Sequence, residues 1–125
     1  MQFFSHLPER PFRAIINGIK KVEGRVPKTD DEITEFQSMK PGDFLTFEHH
    51  ETREILRTEI LFVHHYRDFR SMLESESPEN VLSSRGNVEQ GIASFNSLSN
   101  YRENVVVYGV YAIGIKPVLL SGLSV

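Results

Sequence analysis

Apolar positions along the 125-residue chain change period several times. Phe12, Ile15, Ile16 and Ile19 recur at the i, i+3, i+4, i+7 spacing of one helical face, which predicts a helix from Glu9 to Asn17. Pro11 is accepted in its first turn, where the missing N–H has no intrahelical partner, and Gly18 is placed to end it in the left-handed conformation. Lys20–Val26 then reads as extended and closes at Pro27. The polar, acidic segment Lys28–Glu35 reads as a loop or a short helix. Lys40-Pro41-Gly42-Asp43 is a turn, because Pro presets φ and Gly supplies a positive φ. Phe44–His49 and Arg53–His65 follow as strands, with a reversal at Glu51-Thr52 that makes them a β-hairpin.

Phe69, Met72 and Leu73 share a face of a helix spanning Asp68–Glu76, which Ser77-Pro78 stops. Glu79–Gly86 reads as a loop. Asn87 is an N-cap with Gln90 three residues on, an approximate capping box, and Val88, Ile92 and Phe95 form the apolar face behind it. Asn96–Asn104 is polar and turn-like. Val105–Ile115 is the most β-like run, predicted as a central strand buried on both faces, with Gly109 and Gly114 as bulges or close approaches. Leu119–Val125 reads as a frayed tail or a packing strand. Without strand–helix alternation a Rossmann arrangement is excluded. The pattern predicts one α+β domain over 1–125, with its core at about 10–116 and a tail at 117–125. Its expected architecture is a small antiparallel or mixed, barrel-like sheet with helices on the outside.

Composition narrows the chemistry. With no cysteine, disulfides, thiolate metal sites and a cysteine nucleophile are excluded. No apolar run reaches the roughly 20 residues of a membrane span. The first residues lack a signal peptide's basic flank and apolar stretch, so a cytoplasmic protein is expected. The net charge of −3, from 14 Lys and Arg against 17 Asp and Glu, argues against long duplex DNA as partner. That average hides an asymmetry. Residues 1–28 carry Arg10, Arg13, Lys20, Lys21, Arg25 and Lys28 against Glu9 and Glu23, whereas residues 29–51 carry seven acidic side chains against Lys40 alone. The first segment is suited to one anionic group.

The densest chemistry lies in Gly18-Ile19-Lys20-Lys21-Val22-Glu23-Gly24-Arg25. A lysine serves as base or nucleophile only when burial or a neighbouring cation lowers its pKa, and Lys21 or Arg25 offers such a neighbour. By period two, Lys21, Glu23 and Arg25 share one face while Lys20 points away, unless Lys20 belongs to the turn. His49, His50, His64 and His65 match no standard metal spacing, and adjacent strand histidines project to opposite faces. Neither a metal nor a cofactor is expected. Glu74 and Glu76, with Glu79 just beyond, sit at a helix end and offer an acid, a base or an orienter for lysine. Ser83-Ser84-Arg85-Gly86-Asn87 offers hydroxyls and a cation at a helix start, without the full phosphate-loop pattern. Tyr66, Tyr101, Tyr108 and Tyr111 serve either base stacking or packing.

Pro11-Phe12, Ile15-Ile16, Gly18-x-Lys20-x-x-Glu23-x-Arg25 and, some fifteen residues later, Lys40-Pro41-Gly42-Asp43 before a Phe-containing strand resemble the ASCH domain family. Tyr66-Arg67-Asp68-Phe69-x-x-Met72-Leu73-Glu74, Val88-Glu89-Gln90-Gly91-Ile92 and Tyr108-Gly109-Val110-x-Ala112-Ile113 extend the resemblance to about Pro11–Lys116. It implies a PUA-like β-barrel with a cleft lined by the Gly-x-Lys segment, in a family associated with RNA binding, transcription coactivation and RNA modification. One branch removes acetyl from N4-acetylcytidine with a Lys, a Thr three residues later and a distant Glu. Lys20 matches that Lys, Glu23 stands where the branch has Thr, and Glu74 or Glu76 is the counterpart of the distant Glu.

A carboxylate beside Lys20 is expected to raise its pKa, which disfavours a nucleophile and favours recognition of a polar or anionic ligand. The expected function is therefore binding of RNA or a nucleotide-like ligand in a cleft containing Lys20, Glu23 and Arg25, with Lys21 and Arg85 also contacting ligand. The rival is a small amidohydrolase acting on an N4-acetylcytidine-like substrate through Lys20, Glu23 and Glu74. A protein-interaction module, in which the charged segment is structural, is the third reading.

Overall fold

The structure, a computed structural model, describes residues 1–118. In chain order the elements are β1 (Gln2–Leu7), α1 (Glu9–Ile16), β2 (Val22–Arg25), α2 (Asp30–Ser38), β3 (Phe44–His49), β4 (Ile55–Tyr66), α3 (Phe69–Glu76), α4 (Pro78–Val81), α5 (Val88–Asn96), α6 (Tyr101–Tyr108) and β5 (Val110–Pro117). The strands make one sheet in the order β1-β3-β4-β5-β2. β1 runs parallel to β3, and every other pairing is antiparallel. The sheet curls into a half-barrel, and an Arg25 Nη2 to His6 carbonyl hydrogen bond of 3.2 Å joins its two outer strands. This is the α+β, barrel-like architecture expected, made mixed by a first strand for which the sequence pattern carries no signal.

Alternation along β5 explains how one sheet supports two apolar cores. Tyr111, Ile113 and Ile115 enter a cluster with Leu45 and Phe47 of β3, Leu56 and Ile60 of β4, Phe12 and Ile15 of α1, and Phe36 of α2. Val110 and Ala112 enter the opposite cluster with Phe69, Met72 and Leu73 of α3, Phe95 of α5, and Tyr101 and Val105 of α6. Side chains of a strand alternate between faces, so a strand covered on both sides must be apolar throughout. The expected two-sided burial of this strand is observed.

Other boundaries move for identifiable reasons. Val105–Tyr108 is the end of α6, because Tyr101 and Val105, four residues apart, bury together against the helical layer. Gly109, at φ +72°, then separates that helix from β5. The sheet irregularity lies between Ile60 and Phe62 of β4, opposite Ile115 and Gly114, and Gly114 is a close approach, since a Cβ there would stand 2.1 Å from the Phe62 ring. Lys28–Glu35 yields the longer α2, whose Thr29 cap accepts from the Glu32 N–H and whose acidic first turn suits the helix dipole. Pro78–Val81 forms a short helix inside the expected loop. Of the expected stripe, Phe12 and Ile15 are buried in α1, whereas Ile16 at its last position and Ile19 in the turn beyond Gly18 are exposed, because the helix ends before Ile19 can continue the face. The Asn87–Gln90 capping box is present in full. The tail reading for Leu119–Val125 falls outside the described residues.

A Cβ on Gly109 would lie 2.5 Å from both the Tyr66 carbonyl and His65 Nε2, at a backbone φ that L residues avoid. Gly109→Ala is expected to destabilise by more than about 1 kcal/mol, read as a lower midpoint in chemical denaturation with an unchanged slope.

Candidate functional site

The turn after α1 sets the site. Gly18 reverses the chain, and the Ile19 and Lys20 N–H groups both donate to the Ala14 carbonyl, at 2.9 and 3.1 Å. Lys20 thus precedes β2 and is free of its alternation. Its side chain turns inward while Lys21 remains exposed. Lys20 Nζ donates to the Val22 carbonyl at 2.8 Å and to the Val81 carbonyl at the end of α4. Glu23 Oε1 lies 3.3 Å away as the third acceptor. Glu23 Oε2 receives Arg25 Nε at 2.5 Å. Lys20 and Glu23 side chains are 6% and 7% exposed, and Arg25 is 24% exposed.

Burial controls the protonation of this triad. It pushes Lys20 below the ordinary lysine value, against the upward pull of Glu23. The expected rise is overturned because desolvation of the ammonium outweighs the pairing. Burial also pushes Glu23 up, but Arg25 and Lys20 together outweigh it and hold the carboxyl below its ordinary value of 4.5. Arg25 is desolvated too, yet Glu23 keeps it above its ordinary value. Three oxygen acceptors around Nζ match the three N–H groups of an ammonium.

This triad floors a cavity of about 510 Å³, within the range of roughly 300–1,000 Å³ for small-ligand sites. Apolar walls come from Leu7, Pro8 and Pro11 on one side, and from Val81, Leu82, Phe95, Leu98 and Tyr101 on the other. Gly24 belongs to the floor, where a Cβ would stand 2.9 Å from the Phe95 ring, so glycine allows that ring to approach β2. Arg10, Lys28 and Arg85 line the cavity with the polar groups of Ser83, Ser84, Gln90, Ser94 and Ser99. Among the described residues, Glu23 is the one carboxylate in the lining. His6 and His50 lie there as parallel rings with centroids 5.9 Å apart.

Lys20, Glu23, Arg25 and Arg85 of the expected site residues are brought together here, whereas Lys21 and Glu74 are not in the lining. Lys21 joins elements through its backbone, donating to the Asn80 carbonyl and accepting from the Ile115 N–H. Glu74 is exposed on α3, with Arg70 at 3.9 Å. Glu76 is used elsewhere, at 2.5 Å from the Tyr66 hydroxyl and 2.6 Å from His64 Nδ1. Burial and this carboxylate push the Tyr66 hydroxyl up to about 12. Of the four tyrosines, Tyr101 reaches the cavity.

The histidine doublets separate. Buried His49 accepts the Glu51 and Thr52 N–H groups at Nδ1, which leaves Nε2–H to donate to Glu9 at 2.7 Å. His65 bonds the Tyr108 carbonyl through Nε2 and stacks on Tyr111. Among the described residues, no three His, Asp or Glu side chains form a metal-binding group. Sequence reasoning did not place Arg10, Lys28, His6 or Phe95 in the site; the cationic excess of residues 1–28 is the signal that could have drawn in Arg10 and Lys28.

Removing the carboxylate from a buried group of two cations leaves charge without a partner. Glu23→Gln is expected to cost on the order of 3 kcal/mol, measured by chemical denaturation at neutral pH. Because the folded carboxyl is depressed, its contribution is complete above the unfolded value near 4.5 and is lost as pH falls through the lower folded value. Thermal stability measured from pH 7 to pH 3 should therefore fall less steeply for Glu23→Gln than for the parent.

The chain matches the ASCH domain family over residues 6–119. A search of curated proteins gave no match. The fold is similar to a crystal structure of the hypothetical protein PH0355, with a TM-score of 0.78 and 31% identity, covering 94% of this chain and all of that one. It is also similar to the solution structure of protein PF0455 from Pyrococcus furiosus, with a TM-score of 0.67 and 30% identity, covering 96% of this chain and all of that one. No helix among the described residues is long and apolar enough to cross a membrane. The half-barrel, the Gly-x-Lys turn that floors its cavity and the match over nearly the whole chain make this protein a member of the ASCH domain family.

Proposed function

We propose that the cavity binds RNA or a nucleotide-like ligand. The observation that carries this reading is the buried Lys20–Glu23–Arg25 triad at the floor of an otherwise cationic cavity. Phe95 and Tyr101 offer aromatic surface to a base, and the Glu23 carboxylate is an acceptor for an exocyclic amine. The cavity's size suits one nucleotide unit, so a short single strand or a free nucleotide fits better than a duplex.

A second reading, hydrolysis of an N4-acetylcytidine-like substrate, draws support from the burial that lowers Lys20 and so favours a reactive amine. It loses the contribution expected of Glu74, which is remote from the lining. Glu23 is then the carboxylate available to it.

Titration with short single-stranded RNA and mononucleotides, followed by calorimetry, is expected to show saturable binding that weakens at least about tenfold in Lys20→Ala and Arg25→Ala, the scale of one charged hydrogen bond. Circular dichroism checks that each variant is folded, and Ser94→Trp, which fills the cavity from an exposed position, provides a blocking variant independent of the buried triad. Binding that survives all three substitutions would remove the cavity as the site. Lys20-dependent release of acetate from N4-acetylcytidine, followed by mass spectrometry, would instead establish the enzyme.

A further inference from the structure

We infer that the ligand carries a terminal phosphate monoester, held at the cavity mouth by Arg10, Lys28 and Arg85. This deepens the nucleotide reading above and rests on it. Its basis is a charge count around one cavity. On the floor, Lys20 and Arg25 bracket Glu23, so two cations meet one carboxylate in a buried setting. Glu32 adds a weaker pull on Arg25 from outside ion-pair distance, but its Oε1 accepts the Lys28 N–H. The floor carries no excess of negative charge to repel an anion, and the cations that select one stand above it at the mouth.

Elsewhere on the surface, several arginines are matched with carboxylates: Arg13 with Glu54 at 2.5 Å, Arg53 with Glu48 at 3.2 Å, and Arg70 with Glu89 at 2.6 Å. The charged side-chain groups of Arg10, Lys28 and Arg85 have no carboxylate within 4.0 Å among the described residues, although the backbone N–H of Lys28 meets Glu32 at 2.7 Å. All three are exposed, come from three separate segments, and line the same cavity. Arg57 and Arg102 also lack a carboxylate partner among the described residues, but neither lines the cavity, so three unpaired cations of an acidic protein converge on this one opening.

Chemistry selects the anion. A phosphate monoester brings up to two charges and several acceptor oxygens, which suits guanidinium groups arriving from different directions. A phosphodiester within a strand brings one charge and must continue the chain out of the cavity on both sides. Phe95 and the neighbouring apolar wall leave room for a base beyond the phosphate, so an uncharged nucleoside would fill only part of the site. A free nucleoside 5′-monophosphate and the 5′-phosphorylated end of an RNA strand share this chemistry.

Calorimetric titration of the intact protein at fixed ionic strength tests the inference. The probes are the four common nucleosides, their 5′-monophosphates, inorganic phosphate, and one short RNA with and without a 5′-phosphate. At least one monophosphate is expected to bind about tenfold or more tightly than its nucleoside, the scale of one or two charged hydrogen bonds. Arg10→Ala and Arg85→Ala should move that ratio toward unity, while Arg102→Ala, on α6 and outside the lining, should leave it unchanged. Preference for the phosphorylated RNA over the free monophosphate identifies a strand end as the source, and the reverse order identifies the free nucleotide. Equal affinity for nucleoside and monophosphate overturns the phosphate inference while leaving nucleotide binding in place. Inorganic phosphate binding as tightly as every monophosphate overturns it as well, by reducing the site to an anion trap. Absence of binding by all nucleosides, nucleotides and RNA overturns the underlying reading too.

Discussion

Glu23 is the point at which fold and site meet. Its carboxylate holds Lys20 and Arg25 in place, and each cation reaches a different part of the structure. Lys20 binds the Val81 carbonyl and so ties the end of α4 to the start of β2. Arg25 binds the His6 carbonyl and so joins the two outer strands of the curled sheet. A buried ion pair gains little net stability over apolar packing, but it is intolerant of losing a partner. The triad consequently acts as a constraint on geometry: the two outer strands of the half-barrel and the end of α4 must come together for its polar groups to be satisfied.

That constraint produces the cavity. Gly24 permits the Phe95 ring of α5 to approach β2 closely at one end of the floor. The charged side chains beside it prevent apolar closure at the mouth, because Arg10, Lys28 and Arg85 remain hydrated. One wall is therefore apolar and ordered by the second core, while the floor and mouth are cationic. The same protein is acidic overall, and part of the acidic charge pairs Arg13, Arg53 and Arg70, which lie away from the opening.

Periodic signals carried far where local chemistry and tertiary packing agree. The Asn87–Gln90 box, the Phe44–His49 hairpin arm and the two-sided burial of Val110–Ile115 were legible because capping, β-propensity and burial point the same way. Val105–Tyr108 misled because β-branched residues here follow Tyr101 into the helical layer, leaving Val106 and Val107 exposed. Gln2–Leu7 had no readable partner: it pairs in parallel with β3, forty-two residues away at Gln2 and Phe44, and no turn announces such a contact.

By itself the sequence determined the local vocabulary of the protein: an apolar strand, a capped helix, a cysteine-free composition and a run of alternating charges after Gly18. Family membership was legible for the same reason, since short motifs in a fixed order survive as linear text. Only the tertiary structure decided which charges belong together. Lys20 entered the cavity and Lys21 stayed outside because the turn preceding β2 takes Lys20 out of strand alternation. Glu74 stayed in solvent because α3 turns Phe69, Met72 and Leu73 toward the core instead. Arg10 and Lys28 joined Arg85 through folding contacts between distant segments. Desolvation, which reversed the expected direction for Lys20, exists only once the surrounding chain has excluded water.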